Sequence, residues 1–370
     1  MEVTVRPVGG EADLAAFVDL PWQVYRGSRW WVPPLRREVR EMLDVARNPF
    51  WEHAERGLFL ARAGGLPVGR IAAIIDRNHD RVHGERAGFF GFFECLPQFE
   101  AAAALFEAAR AWCRERGATF LRGPASPSSN DEYGFLLEGF SSPPVVMMPY
   151  NPPYYLDFAA RAGFAKVKDL YAFLKCSQSG IPDRIERMMR RLERRSRFTL
   201  RGFDPRHFDR DAGIIKTIYN AAWEKNWGFV PLTDREMDYA ARKLRDFYDP
   251  EMIVIAELDG RPAGIMLTVP NANEVLRHLG GRLGPAGLAK FLWYRRRARG
   301  CRTLIGGCLA EYRQSGLITQ LFYETVRRGI ARYQWCEVGW HLEDNDLINR
   351  FAVEIGAQLY KKYRLVQAPL

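Results

Sequence analysis

Two pairs of matching stretches constrain this chain more than any other feature of its sequence. The stretch FLARAGGLPVGRIAAI from Phe59 matches VIAELDGRPAGIMLTV from Val254, 195 positions later. The aligned identities are Gly65 with Gly260, Pro67 with Pro262, and Gly69 with Gly264. Further on, FAARAGFAKV from Phe158 matches FAVEIGAQLY from Phe351, 193 positions later. A repeat at about half the chain length predicts two copies of one domain, each with a β-hairpin and a later helix-to-strand turn.

The length of the chain agrees with a duplicated fold. At 370 residues it exceeds the size at which one hydrophobic core keeps growing. We therefore predict an N-terminal domain over 1–176 and a C-terminal domain over 177–370. Composition is that of soluble globular proteins, with 47% hydrophobic and 26% charged residues. Because the start MEVTVRPVGG lacks the apolar stretch of a signal peptide, we expect a cytoplasmic protein.

Cysteine and histidine give no sign of a metal site or of disulfides. The six cysteines form no CxxC pair, which favours reduced thiols. His79 and His83 are spaced like helical metal ligands, but the polar residues between them favour a solvated loop. We expect no bound metal.

Each half shows the same order of elements: hairpin, strand, helix, strand, helix, strand. The hairpins are predicted at 58–75 and 252–269, and long helices at 98–116 and about 317–332. Another helix is predicted at 211–226, ahead of the second hairpin. An insertion at 124–153 is either a lid or an ordered surface loop. The fold class is therefore α/β, with two tandem domains that each have a mixed, mostly antiparallel sheet flanked by helices.

This order, with the turn EYRQSGL opening a helix, resembles the GNAT superfamily of acyl-CoA-dependent N-acyltransferases. In that superfamily Arg or Gln, two residues, Gly, one residue, then Gly or Ala form the loop that holds the coenzyme A pyrophosphate. Arg313 and Gly316 match it, and Ile318 stands where a small residue is expected. The unpaired amides of a helix N-terminus attract phosphate, and glycine allows close approach. The residues that the resemblance assigns to cofactor binding are Leu309, Arg313, Gln314, Ser315, Gly316 and Leu317.

The resemblance also bears on which half binds acyl-CoA and on the general acid. The matching place in the first half, ECLPQFEAA, has a proline and no glycine, so only the C-terminal domain is expected to bind acyl-CoA. Asn345 opens the last helix and Gly356 follows eleven residues later, as in the superfamily, which makes Asn345 a further cofactor-binding residue. The tyrosine that protonates the leaving thiolate in many members is replaced by Ala352. Tyr312, Tyr360 and Tyr363 are then the candidates for the general acid.

N-acyl transfer requires a base, because an amine of pKa near ~10 is mostly protonated at neutral pH. Glu311 and Glu343 are equal candidates, and His341 can relay a proton. The oxyanion needs aimed amides, which we expect from a strand bulge around Leu309.

The acceptor amine is expected near YNAAWEKNWGFVPLT, at the end of a helix. Trp223 and Trp227 lie one helical turn apart and should be packed. The predicted acceptor-site residues are Glu224, Asn226, Trp227 and Trp340.

The net charge of +10 is concentrated in two runs. RIERMMRRLERRSR, at 184–197, forms an amphipathic pattern, and LAKFLWYRRRARGCR, at 288–302, joins apolar residues to arginines. Such runs suit an anionic membrane surface, where each Lys or Arg adds ~1 kcal/mol. A solvated basic face is the alternative.

Several strings, WVPPLRREV, NPFWEHAERGLFLA, GFFGFFE and WEKNWGFVP, are similar to a bacterial tandem-GNAT family that includes the bacterial ceramide synthases. The resemblance implies transfer of a long-chain acyl group from coenzyme A to a sphingoid base, at the cytoplasmic membrane face. Two alternatives remain open. A Fem-like transferase would take aminoacyl groups from tRNA, although we disfavour a nucleic-acid partner. A non-catalytic acyl-CoA- or membrane-binding protein would explain the missing tyrosine.

Overall fold

The structure is a computed structural model that describes residues 2–223, 226–245 and 247–370. The chain forms two compact units. Unit 1 contains the residues up to Leu170 together with Leu276–Lys290 and Lys361–Leu370, and unit 2 contains Tyr171–Val275 and Phe291–Tyr360. Both units are mixed α/β, as expected from the sequence.

The chain contains hairpins and strands that are separated by helices. They are β1 Val3–Pro7, β2 Ala54–Ala63, β3 Leu66–Asp76, β4 Ala87–Cys95, β5 Phe120–Gly123, β6 Ala125–Ser126, β7 Glu132–Tyr133, β8 Phe135–Glu138, β9 Ala165–Cys176, β10 Phe198–Gly202, β11 Ile253–Leu258, β12 Arg261–Pro270, β13 Gly300–Cys308, β14 Trp335–Leu342 and β15 Gln358–Pro369.

The helices differ widely in length. They are α1 Glu11–Asp19, α2 Pro21–Val24, α3 Arg36–Leu43, α4 Arg77–His83, α5 Phe99–Arg114, α6 Tyr154–Arg161, α7 Asp183–Glu193, α8 Phe208–Ala222, α9 Asp234–Leu244, α10 Asn273–Leu276, α11 Pro285–Arg295, α12 Leu317–Arg332 and α13 Asp346–Glu354. No helix in the described part of the chain is long and apolar enough to span a bilayer.

The sheet of unit 1 is mostly antiparallel. Strands β1 to β4 pair as successive antiparallel neighbours, and β5 lies parallel to β4. The end of the chain completes this sheet, because Val366 and Pro369 of β15 pair with Gly123 and Phe120 of β5. Strand β8 also pairs with β15.

The sheet of unit 2 repeats that arrangement. Strands β10 to β13 are antiparallel neighbours and β14 is parallel to β13. Successive side chains of a strand point to opposite faces, so each face takes its own helix. Val254 packs with Leu321 of α12, while its neighbour Ile255 packs with Ile218 of α8. The sheet is therefore covered by α12 on one face and α8 on the other.

The first repeat in the sequence corresponds to the same bulged hairpin in both units. The register of β2–β3 shifts between Ala61 and Arg62, and that of β11–β12 shifts between Ala256 and Glu257, 195 positions later. Gly69 and Gly264 allow a helix to cross closely. A Cβ there would lie 2.7 Å and 2.8 Å, respectively, from a leucine Cδ1 of α5 or α12. The repeated glycines are thus explained by helix packing.

The second repeat corresponds to a shared helix-to-strand turn. Gly163 and Gly356 have φ angles of 83° and 84°, in the left-handed region that favours glycine. The amide of Phe164 donates to the carbonyl of Ala159, and Ala357 donates to Ala352, both at 3.0 Å. Strands β9 and β15 follow these turns and have 12 residues each. The duplication predicted from the sequence is confirmed at both places.

Two expectations are wrong. Helix α8 ends at Ala222 rather than at 226, so Trp223 and Trp227 do not share a helical turn. His79 and His83 lie on helix α4 and not in a solvated loop. His79 is buried and bonded to Glu85 at 3.0 Å, and burial lowers the pKa of its imidazole.

Candidate active site

The connection between β13 and α12 is the main feature that distinguishes unit 2 from unit 1. It contains eight residues, 309–316, whereas the corresponding connection between β4 and α5 contains three, 96–98. All six residues that the sequence assigned to the cofactor loop lie in this connection or at the first position of α12. We call residues 309–316 the β13–α12 loop.

The loop folds back on itself before the helix begins. A short 3-10 helix covers Ala310–Tyr312, and Ser315 Oγ donates to the carbonyl of Tyr312 at 2.7 Å. Gly316 precedes α12 with a φ of 77°. The first amide of α12, that of Leu317, donates to Ser315 Oγ at 3.3 Å, while the next two amides have no carbonyl acceptor within the helix. The arrangement suits a phosphate group.

Two hydrogen bonds fix the start and the middle of the loop to the rest of unit 2. Leu309 donates its amide to the carbonyl of Ala263 at 2.9 Å. Arg313 donates from Nη2 to the carbonyl of Ala222 at 3.2 Å, at the C-terminus of α8, where a cation is favoured. Gln314 is exposed at the surface of the loop. Ile318 is half-buried and packs against the core of unit 2.

Strands β13 and β14 separate next to this loop. Their parallel ladder pairs Gly300 with Trp335 and ends where Thr303 pairs with Val338. A register shift opposite β12 places a bulge at Leu304, immediately after the last pair. We expected that bulge near Leu309, and this expectation is wrong, because the Leu309 amide already bonds to β12. Beyond Thr303 and Val338 the two strands no longer pair, and we call the space between them the strand gap.

The corresponding place in unit 1 is occupied by backbone. Strands β4 and β5 pair from Ala87 to Phe89 on β4. Beyond the pairs, the amide of Phe92 donates to Ser126 Oγ at 2.9 Å. A Cβ added to Gly91 would lie only 1.7 Å from the Ala125 carbonyl oxygen. The chain after β5 therefore occupies the space beside β4 that corresponds to the strand gap of unit 2.

A buried ion pair lies at the closed end of the strand gap. Arg302 and Glu337 face each other across the β13–β14 ladder, with 3.3 Å between Nε and Oε1, and both side chains are almost fully buried. Arg302 also donates to the carbonyl of Gly339, and Tyr360 donates its hydroxyl to Glu337. The bonds of Arg302 join β13 to β14 just before these strands separate, and the bond of Tyr360 joins β15 to β14.

His341 lies on β14 past the end of the ladder. Its Nδ1 is 3.2 Å from Asn349 Oδ1, and the Asn349 amide nitrogen donates to the carbonyls of Leu342 and Glu343 at 3.0 and 3.4 Å. These two contacts orient the Asn349 side chain, so its oxygen must accept a hydrogen bond from the N–H at Nδ1. The lone pair of the imidazole is then on Nε2. Burial lowers the pKa of His341 to about 4, so the ring is neutral at pH 7.

This low pKa predicts a specific loss of stability in acid. The unfolded chain protonates His341 below a pKa of about 6.5, whereas the folded protein resists protonation until about pH 4. As the pH falls from 6.5 to 4, wild type should lose about 2–3 kcal/mol of unfolding free energy that His341→Gln does not lose. Urea unfolding of both proteins at pH 7, 5.5 and 4.5 measures the difference. A constant difference across this range would contradict the buried neutral ring.

The remaining predicted catalytic residues lie close to the loop or to His341. Tyr312 donates a hydrogen bond to Glu311, which raises the pKa of the phenol, and its ring is 5.3 Å from that of Phe198. Glu311 is exposed, and Glu343 is half-buried just after β14. Asn345 precedes α13, and its carbonyl accepts from the Asn349 amide at 3.0 Å. Ala352, at the usual tyrosine position, is fully buried.

Three of the four predicted acceptor-site residues lie in the described part of the chain. Glu224 lies outside the described residues. Asn226 and Trp227 are half-buried in the turn after α8, with the Asn226 amide donating to the Trp223 carbonyl at 2.8 Å. Trp223 lies over β13, where a Cβ on Gly307 would be 2.7 Å from its ring. Trp340 is half-buried on β14.

Sequence reasoning missed Asn349, Arg302 and Glu337. For the ion pair a signal existed, since two charged residues interrupt otherwise apolar strands. Asn349 gave none, because its role depends on which side chain lies opposite. The described residues bring together no cluster of three or more His, Cys, Asp or Glu side chains suited to a metal.

Comparison with known proteins agrees with this architecture. Protein YghO of Escherichia coli is 35% identical over 98% of this chain and 94% of its own length. A bacterial ceramide synthase of Caulobacter vibrioides is 34% identical over 100% of this chain and 98% of its own length. No protein-family model matches the sequence.

Solved structures show the same fold at low identity. A tandem GNAT protein from the clavulanic acid biosynthesis pathway has a TM-score of 0.56 at 16% identity, covering 100% of this chain and 98% of that one. A GCN5-related N-acetyltransferase from Sphaerobacter thermophilus has a TM-score of 0.54 at 13% identity, covering 99% and 95%. The chain therefore belongs to the tandem GNAT acyltransferases, in the family that includes YghO and the bacterial ceramide synthase.

Proposed function

We propose that this protein transfers a long-chain acyl group from acyl-CoA to the amine of a sphingoid base or a similar lipid. The observation that carries the proposal is the combination, in unit 2, of an eight-residue loop before α12 and an open strand gap beside it. The relative named as a ceramide synthase supports the choice of acceptor.

The position of each residue gives its proposed role in binding acyl-CoA. The β13–α12 loop and the first amides of α12 hold the phosphates of coenzyme A, with Arg313, Gln314 and Ser315 at its surface and Asn345 as a further contact. The thioester lies in the strand gap. Main-chain amides of β13 after Thr303 that do not bond to β12 are then available to an oxyanion, because the β13–β14 ladder has ended.

His341 takes the proton of the acceptor amine in this proposal. The amine nitrogen attacks the thioester carbonyl, its proton moves to Nε2, and the C–S bond breaks as the thiolate leaves. A neutral imidazole with a free Nε2 lone pair is the form that a general base requires. Glu343 follows β14 and competes for this role, while Glu311 is already engaged with Tyr312. Tyr312 retains its proton and is the candidate that protonates the thiolate.

The proposal assigns acyl-CoA to unit 2 only. The three-residue connection before α5 is too short to wrap a pyrophosphate, and backbone fills the corresponding gap of unit 1. Asn226, Trp227 and Trp340 are proposed to contact the acceptor. Such a division corresponds to a cofactor-free N-terminal domain at 1–176 and an acyl-CoA-binding domain at 177–370.

Helix α11 gives the membrane part of the proposal a definite surface. Leu288, Leu292 and Trp293 are 50%, 56% and 60% exposed. Such a set of exposed apolar side chains on one short helix marks an interaction surface. The basic residues around it are exposed as well, and they are Lys290, Arg295, Arg296, Arg297 and Arg299. Apolar side chains within a positive field fit an anionic lipid surface, at which the protein would be peripheral.

Removing the apolar side chains of α11 should release the protein from anionic vesicles. Leu292→Ser/Trp293→Ser should bind vesicles of phosphatidylcholine with phosphatidylglycerol about 10-fold or more weakly than wild type, because both side chains leave the lipid. Co-sedimentation measures this. Val45→Ser/Leu66→Ser, at exposed apolar positions of unit 1, is the matched control and should bind normally. Equal binding by wild type and the α11 variant would exclude this helix.

The transfer reaction itself is tested with purified protein, acyl-CoAs of different chain lengths and a panel of amines, read by mass spectrometry. We expect amides of sphingoid bases with long-chain acyl groups. Acetylation of soluble amines without any lipid amide would refute the lipid acceptor, and no product from any donor would refute the enzyme.

A further inference from the structure

Helix α7 carries the first of the two basic runs, and it packs against the site of unit 2. Ile185 and Met189 are 3% and 0% exposed and belong to the same core as Leu317 and Leu321 of α12. The buried face of α7 therefore holds the helix against the first turns of α12. The arginines of α7 therefore belong to a helix that is packed against the core of unit 2.

Two contacts determine where the chain after α7 runs. The Leu192 side chain lies 3.3 Å from the position of a Cβ on Gly316, at one end of the β13–α12 loop. The ring of Phe198 lies 5.3 Å from that of Tyr312, nearer the other end. Residues 193–197, between these contacts, must therefore pass alongside 312–316. Arg194 and Arg195 lie in this short segment.

Positive charge is in excess in this segment, where Glu193 is the one carboxylate beside Arg194, Arg195 and Arg197. Arg190 pairs with Glu186 at 3.0 Å, and Arg197 pairs with Asp259 at 2.9 Å. Arg191, Arg194 and Arg195 are exposed, and no carboxylate in the described part of the chain lies within ion-pair distance of them. Arg194 and Arg195 are adjacent in the chain. Like charges that are closer than a Debye length, about 8 Å at physiological salt, repel each other with little screening. An anionic ligand at the neighbouring loop would relieve that repulsion.

We propose that Arg194 and Arg195 bind phosphate groups of the nucleotide part of acyl-CoA. This inference rests on the proposed binding of acyl-CoA at the β13–α12 loop. Coenzyme A carries a pyrophosphate and a separate ribose 3′-phosphate, and one helix N-terminus can enclose only part of that charge. Guanidinium groups bind phosphate through paired N–H donors, which suits the 3′-phosphate beyond the loop.

This assignment separates the two basic runs by function. The run at 184–197 was expected at a membrane surface from its sequence, because an amphipathic basic helix looks the same whether its apolar face meets lipid or a protein core. In the structure Ile185 and Met189 of that face are buried in unit 2, while Met188 is 41% exposed. Helix α11, whose apolar residues are exposed, is the proposed membrane-binding helix. The arginines that follow α7 are the proposed ligands of the coenzyme A phosphates.

The test compares two arginine pairs, one on α7 and one just after it, by calorimetric binding of coenzyme A to the full-length protein. Arg194→Gln/Arg195→Gln should weaken binding about 10- to 100-fold, since charge-assisted hydrogen bonds to phosphate are lost. Arg184→Gln/Arg187→Gln removes the same charge two turns earlier and should change the affinity less than about 3-fold. Dephospho-coenzyme A, which lacks the 3′-phosphate, serves as the second ligand.

The outcomes are distinct. If the Arg194/Arg195 variant loses affinity for coenzyme A but binds dephospho-coenzyme A as wild type does, the arginines hold the 3′-phosphate. If it loses affinity for both ligands, they hold the pyrophosphate. Equal affinity of this variant, the control and wild type for coenzyme A overturns the inference and leaves acyl-CoA binding intact. If wild type binds neither ligand, the proposed function itself fails.

Discussion

His341→Ala should lower kcat about 10²- to 10⁴-fold, the range typical for loss of a general base. The structure leaves this histidine unprotonated and able to accept a proton, although its low pKa makes it a weak base. Asn349 fixes its tautomer so that Nε2 carries a lone pair, and burial keeps the ring neutral at pH 7. Because the ring has no part in holding the nucleotide, the affinity for coenzyme A should stay within about 2-fold of wild type.

Parallel variants distinguish His341 from the two carboxylates. Glu311→Gln and Glu343→Gln, assayed with the same long-chain donor and amine, should keep activity within about 10-fold if His341 is the base. Asn349→Ala should cost less than His341→Ala, because it alters orientation and leaves the imidazole present. A fully active His341→Ala protein alongside an inactive Glu343→Gln protein would transfer the role to Glu343.

Glu337→Gln should lower the unfolding free energy by about 3–5 kcal/mol, the usual effect of removing one partner from a buried ion pair. Arg302 is 4% exposed and Glu337 is fully buried, so the remaining guanidinium cannot recover its lost partner from water. The pair also ties β13 to β14 just before the strand gap. Thermal and urea unfolding measure the loss, and acyl-CoA turnover should fall with it.

Two comparison variants make this result interpretable. Glu186→Gln breaks the exposed pair with Arg190 on α7 and should cost no more than about 0.5 kcal/mol. Replacing both buried partners, as Arg302→Met/Glu337→Leu, should recover much of the stability, because no uncompensated charge stays buried. A Glu337→Gln protein as stable as Glu186→Gln would show that the buried pair contributes little.

The duplicated fold was accessible from the sequence because the repeated positions have local physical causes. Gly163 and Gly356 end helices with a left-handed φ, and Gly69 and Gly264 allow a helix to cross. Such positions tolerate few other residues, so the two halves of the sequence still have the same residue there. The β13–α12 loop was accessible for the same reason, through Gly316 and the short spacing to Arg313.

Other predictions failed where the deciding contact is distant in sequence. The bulge lies at Leu304 because the register against β12 shifts there, and no local pattern records that register. Helix α8 ends at Ala222, whose carbonyl is bonded by Arg313 from the loop, 91 positions away. His79 differs, because its partner Glu85 is only six positions away, and what the sequence did not record is the burial of this position in unit 1.

The sequence by itself determined that the chain contains two related α/β units and that the second has a glycine loop before a helix. Only the tertiary structure decided which of the two sites stays open, how His341 is protonated, and that α7 lies beside the loop while α11 is exposed. The physical reason is the distance in sequence between the interacting residues. Turns and helix ends depend on a few neighbouring residues, whereas a strand gap, a tautomer or the burial of a helix face depends on groups brought together from distant positions.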